Sequence, residues 1–170
     1  KGKTFTFGAF QTPKVKEGKY KAVITKGKDV FEHVFEVEYG DDSGLAKADR
    51  EKRYNTIMKA YDLTQKLAYL VYQVNTLSDS TNNKKRKEKL EALHKTLVVT
   101  SGDNYVGAAE PQLREKLGTI YSTVAGYYGK PSKSQYDNIQ LITKRFNKAK
   151  DDFESIKSKY YYKYQKAAAK

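Results

Sequence analysis

Cysteine is absent from this chain of 170 residues, and so is tryptophan. Without cysteine there is no disulfide framework and no thiol chemistry. The absence suits the cytosol and a bacterial secreted protein equally, so it does not fix the compartment. Histidine is scarce too: His33 and His94 are the only two, and no spacing resembles a zinc site. There is no glycine-rich phosphate loop. Long apolar runs are missing. The most apolar stretch, "KAYDLTQKLAYLVYQVNTL" from Lys59 to Leu77, is interrupted by Asp62, Gln65, Lys66, Gln73 and Asn75. A bilayer span needs about 20 mostly apolar residues, so no transmembrane segment is expected. The opening "KGKTFTF" has no Met and no charged-then-apolar leader. It does not read as a signal peptide, and its early strand-like run reads like the interior of a longer chain.

What is present is positive charge. Lysine and arginine number 33 against 20 acids, a formal net charge of +13. Hydrophobic residues make up 38% and charged residues 31%, the balance of a globular chain rather than a disordered one. Core material comes largely from 15 tyrosines and 7 phenylalanines. The length allows one domain, or one small domain with a piece of another.

Up to about residue 40 the apolar period is two. "FEHVFEVEY" puts Phe31, His33, Phe35, Val37 and Tyr39 on one face. Glu32, Glu36 and Glu38 fall on the other, with Val30 and Val34. "KYKAVIT" likewise aligns Tyr20, Ala22 and Ile24. A two-residue turn at Gly27-Lys28, glycine first as a type II′ turn prefers, pairs Lys26 with Asp29. Counting outward, Ile24 meets Phe31, Ala22 meets His33, Tyr20 meets Phe35 and Lys19 meets Glu36. A slip of one residue would destroy this agreement. "TFTF" suggests a further strand before a connecting loop. Three strands with one apolar face do not make a stable unit alone: either the helices cover that face or, the reading favoured here, the rest of a sandwich lies upstream of this segment, and His33 is expected to be packed.

From "GDDSG" onward the period becomes helical. One helix is expected from Lys47 to Leu77, with an inward stripe of Tyr54, Ile57, Met58, Tyr61, Leu67, Leu70, Val71, Val74 and Leu77. A second runs from Lys84 to Val98 with Leu90, Leu93 and Leu97 inward. Pro111 suits the first turn of a third, whose stripe is Leu113, Leu117, Ile120, Tyr121, Val124 and Tyr128. Gly129 is placed as its C-terminal cap, with Pro131 beyond. Ser132 and Gln135 form a capping-box pattern for a fourth helix, carrying Tyr136, Ile139, Ile142, Phe146, Ala149, Phe153, Ile156 and Tyr160. The expected class is α+β: a short antiparallel β segment, part of a sandwich (residues 1–40), then a four-helix antiparallel bundle (residues 45–166).

No catalytic constellation emerges. Asp151 and Asp152 are helical neighbours pointing about 100° apart, a poor acid/base couple. Asp41-Asp42 reads as solvated charge. Ser101 and Ser122 lack the partners of a triad. His94 is expected at the surface of a basic helix. Catalytic, cofactor and metal residues are therefore expected to be none. Two candidate interaction sites stand out. One is the irregular link "SGDNYVGAAEP", with Asp103, Asn104, Tyr105 and Glu110; packing of Tyr105 against the bundle end is the alternative. The other is the basic patch of Lys84, Lys85, Arg86, Lys87 and Lys89. With the lysine- and tyrosine-rich tail, it leaves a basic helical nucleic-acid-binding protein as the alternative function.

The order of strands then helices, with "PKVKEGKYKAVITKGK", "TIMKAYDLTQKLAYLVYQ" and "GDNYVGAAEPQLREKLGTIYSTVAGYYGKPS", resembles the C-terminal region of large secreted Bacteroidetes proteins. These are sortilin-like, BNR-repeat β-propeller proteins labelled glycosyl hydrolases. The resemblance implies the end of an immunoglobulin-like strand module followed by a helical segment, and an extracytoplasmic location. Its label belongs to the propeller, so no catalytic residue carries over. It implies a non-catalytic docking module at the C-terminal end of its parent, whose partners are the upstream part of that parent or other surface proteins.

Overall fold

The computed structural model describes residues 12–40, 44–99 and 110–168, with side chains described through residue 159. Within them lie two strands, β1 (Gly18–Lys26) and β2 (Asp29–Val37), and four helices: α1 (Lys47–Asp79), α2 (Lys84–Leu97), α3 (Leu113–Gly126) and α4 (Lys133–Ala168). The fold is an α+β mix. The described sheet has two strands, not three; the expected "TFTF" strand lies outside the described residues.

The hairpin has the register that its period of two demands. Ile24 pairs with Phe31, Ala22 with His33, Tyr20 with Phe35 and Lys19 with Glu36. Gly27 supplies φ +63° at the first turn position, while Lys28 needs no positive φ. One positive φ at the first central residue is the requirement of a type II′ turn.

The helices begin and end where local chemistry satisfies their terminal backbone groups. Asn83 caps α2, its side chain accepting from the Arg86 N–H at 2.9 Å. Ser132 and Gln135 form the expected reciprocal box before α4: Gln135 N–H donates to Ser132 Oγ at 3.2 Å, and Ser132 N–H to Gln135 Oε1 at 2.8 Å. Helix α3 departs from expectation at both ends. It starts at Leu113 with Gln112 as cap, so Pro111 lies before the helix rather than in its first turn. The Glu115 carboxylate returns to the Gln112 N–H at 3.2 Å and also accepts from the Val99 N–H at 3.3 Å. At the other end the helix stops at Gly126, and Tyr127 is extended. Gly129 is not its cap. The closing carbonyls are taken by Arg53 of α1, whose Nη2 donates to Ala125 O at 2.7 Å and whose Nε donates to Tyr127 O at 2.5 Å. A Cβ at Gly129 would meet the tip of the exposed Tyr127 ring at 2.5 Å, so that ring would have to swing aside.

One hydrophobic core joins all four helices. It includes Leu67, Leu70 and Val74 of α1, Leu90 and Leu97 of α2, Leu117 and Val124 of α3, and Ile139, Phe146 and Phe153 of α4. Helices α1 and α4 each pack chiefly against α2 and α3. Tyr61 and Tyr121 face each other across α1 and α3 with ring centroids 6.2 Å apart. Burial, and then the neighbouring Tyr61, push the Tyr121 phenol pKa up. Tyr128, expected on the inward stripe, is exposed, because α3 has already ended. It stacks under the Arg53 guanidinium at 5.3 Å instead. Among the described residues no strand residue belongs to this core, and no close backbone contact joins the sheet to a helix.

Candidate interaction surface

The hairpin presents its apolar side chains outward. On the face shared by even-numbered β1 residues and odd-numbered β2 residues, Ile24 is 66% exposed, Phe31 59% and Phe35 42%; Tyr39, just beyond β2, is 38% exposed. The helices, one of the two coverings expected for this face, do not close over it among the described residues. His33, expected packed, is exposed, because none of the described helices packs against the sheet. Tyr20 stacks on Phe35 with centroids 6.0 Å apart, and its hydroxyl donates to Lys16 O at 2.7 Å. Those contacts stiffen one end of the face.

The opposite face is mixed. Lys21 and Glu32 form a diagonal ion pair at 3.0 Å beside exposed Val23, Val30 and Val34. Sign of charge separates by strand: β1 carries Lys19, Lys21 and Lys26 and no acid, whereas β2 carries Asp29, Glu32 and Glu36 and no lysine or arginine.

A single arginine ties this hairpin to α1. Arg50 Nη2 donates to Glu17 Oε2 at 2.7 Å, Nη1 donates to Leu45 O at 2.7 Å, and the guanidinium lies 4.8 Å from the Tyr39 ring centroid. Its Nε is buried with no hydrogen-bond partner among the described residues. A planar guanidinium can bond at its edge and stack on its face at once, so one side chain grips both the segment before β1 and the segment after β2.

The two sites anticipated from sequence fare differently. Asp103, Asn104 and Tyr105 lie outside the described residues. Glu110 is exposed and pairs with Lys116 at 3.5 Å. Glu115, not singled out beforehand, joins both flanks of that link through Val99 and Gln112. Its signal was the three-residue spacing from a polar cap. Lys84, Lys85, Lys87 and Lys89 are exposed and Arg86 is half-buried. Consecutive helical positions turn by about 100°, so these cations spread around α2 instead of forming one stripe. They also sit at a helix N-terminus, where the macrodipole disfavours positive charge.

Other groups have quiet surroundings. Asp152 pairs with Lys148 at 2.6 Å, and Ser122 Oγ donates to Gly118 O at 2.9 Å within its own helix. His94, expected at the surface, is half-buried. It lines a cavity of about 150 Å³ with Val74, Asn75, Ser78, Leu90, Glu91 and Lys95. Burial, and then the charge of Arg114, lower its pKa. Among the described residues no cluster of three or more His, Asp or Glu is placed to hold a metal ion. Among the described residues no helix is long and apolar enough to cross a membrane. No family model, curated protein or solved structure matches this chain.

Proposed function

We propose that the chain is a non-catalytic docking module, in which a helical body carries a hairpin whose apolar face meets a partner surface. The observation that carries this reading is the outward presentation of Ile24, Phe31, Phe35 and Tyr39 on one face. Contiguous exposed apolar side chains on a folded protein mark a place where another surface binds. In this reading the four helices form an antiparallel bundle. Their single shared core and the short links 80–83 and 127–132 support it. The hairpin is then one layer of a sandwich completed elsewhere, since a two-stranded ribbon with one apolar face is marginal alone. By its resemblance to sortilin-like, BNR-repeat propeller proteins, we read such a module as the end of a secreted or cell-surface chain, inside a larger assembly.

The test is a photo-crosslinking residue at Phe31 of the natural full-length protein, compared with one at Asp151 on the exposed face of α4. A discrete crosslinked product at residue 31 and none at 151 supports docking through the hairpin. No product at residue 31, or equal products at both, refutes it. The alternative role in nucleic-acid binding predicts that affinity for a random oligonucleotide falls steeply with salt, and it gives the apolar face no task.

A further inference from the structure

The backbone of β2 offers more specific information than its apolar face. A two-residue turn closes with a bond from its last N–H to its first carbonyl, so Lys26 and Asp29 are a hydrogen-bonded pair. Alternation along an antiparallel ladder then aims the N–H and C=O groups of Val30, Glu32, Val34 and Glu36 away from β1. On the far side of β1, the groups of Lys19, Lys21, Val23 and Thr25 point outward. Among the described residues neither edge is paired, and the two edges differ. Lysine on an edge strand protects it from pairing, and β1 carries Lys19, Lys21 and Lys26. β2 has no lysine or arginine, no proline and no glycine, and its nine residues include Val30, Phe31, Val34, Phe35 and Val37.

We propose that β2 is completed by a third, antiparallel strand from a polypeptide partner, an extended segment in which apolar residues alternate with lysine or arginine. The proposal rests on the reading of the hairpin as a docking element and names the partner's chemistry. Apolar partner side chains fall beside Phe31 and Phe35 and extend the exposed face. Basic ones fall beside Glu32 and Glu36, where lysine is already the neighbour on the inner side: Lys19 opposite Glu36, Lys21 bonded to Glu32. Strand β1 is itself such a sequence. Repeating its register on the outer edge of β2 keeps the hydrogen-bond parity, because the outer groups belong to the same alternate residues. A second copy is a poorer occupant. Adding its β1 to β2 would repeat every two strands, about 9.6 Å. A helical body of about 120 residues has a radius of gyration near 14 Å, so the bodies would collide. Pairing β2 with the β2 of a second copy leaves Glu32 and Glu36 without basic neighbours on the outer side.

The experiment uses the full chain, at a concentration where sedimentation shows monomer, with the synthetic peptide GKYKAVITK as probe and amide exchange as readout. The expected result is slowed exchange at Val30, Glu32, Val34 and Glu36, with Lys19, Lys21, Val23 and Thr25 still fast. Val34→Pro removes one outward N–H and leaves the inner ladder intact, so peptide binding should be lost while Ile24–Phe31 cross-strand contacts persist. The double variant Glu32→Lys/Glu36→Lys should lose this peptide and gain GEYEAVITE. Protection on β1 instead, no protection at all, undiminished binding to the Val34→Pro variant, or equal binding of both peptides would overturn the proposal. So would slow exchange at the four amides without peptide, which would mean that the chain covers its own edge, or slow exchange only in a dimer. A crosslink at residue 31 without peptide binding would leave docking standing and remove strand addition; absence of the crosslink removes docking itself.

Discussion

Truncating Leu67 and Ile24 to alanine, separately, tests how the apolar residues are divided between core and surface. Leu67 is 1% exposed and sits among core residues of four helices, whereas Ile24 is 66% exposed on the hairpin. Leu67→Ala removes a buried isobutyl group and leaves a cavity, a combination that costs about 2–5 kcal/mol. Full burial of such a side chain is worth about 1.5–3 kcal/mol. The roughly one-third of Ile24 that is covered therefore sets its loss at about 0.5–1 kcal/mol, confined to the hairpin. Urea unfolding followed by helical circular dichroism separates the two. With a slope of about 1–3 kcal/mol per molar urea, Leu67→Ala should lower the midpoint by about 1–3 M. Ile24→Ala should leave it nearly unchanged. An Ile24→Ala loss that rivals the Leu67→Ala loss would mean that the hairpin face is buried within the chain, and the docking argument would fall.

Gly27→Val should cost about 1–2 kcal/mol, because a left-handed φ is unfavourable for a side chain with a Cβ and Gly27 sits at φ +63°; cross-strand contacts between Ile24 and Phe31 by NMR should weaken while helical circular dichroism holds. Arg53→Met keeps the aliphatic stem but frees the Ala125 and Tyr127 carbonyls; a loss of about 1–3 kcal/mol should appear as lowered Tm and faster amide exchange in the last turn of α3. For His94 the sign follows from burial and Arg114, which lower the folded pKa below the ordinary 6.5. The unfolded chain then binds the proton more readily, so this contribution is complete above about pH 6.5 and is lost as pH falls through the folded value. Melting of the wild type between pH 7.5 and 5 should drop more than that of His94→Gln; parallel curves would refute the assignment.

Local chemistry made most elements readable. The hairpin register follows from alternation around Gly27, and the α4 start follows from Ser132 and Gln135, since both signals lie within a few residues. The helical stripes were readable for the same reason: Ile57, Leu67, Leu70 and Val74 recur at helical spacing and are buried. What failed to read was non-local. The end of α3 is set by Arg53, more than 70 residues upstream, so Gly129 looked like the natural stop. Burial of His94 depends on the groove between α1 and α2. Amphipathicity told that the sheet has an apolar face, but period alone does not say whether a helix covers it. That depends on where the helices lie relative to the sheet, and among the described residues none packs against it. The link containing Asp103, Asn104 and Tyr105 remains outside the described residues, and only its flanks, joined through Glu115, bear on it.

The attachment of the hairpin through Arg50 has a consequence for how this sequence can change over generations. No hairpin side chain enters the helical core, and sites without shared partners contribute to stability almost additively. Substitutions at Ile24, Phe31 or Phe35 thus leave the fold of the helices nearly untouched and, in the proposed docking role, alter only what the hairpin meets. If the proposed docking role holds, drift can explore new partners on the ribbon, while the helices and the Glu17, Tyr39 and Arg50 attachment stay constrained by the fold. Relatives of this chain should diverge fastest along β1 and β2 and keep those three positions.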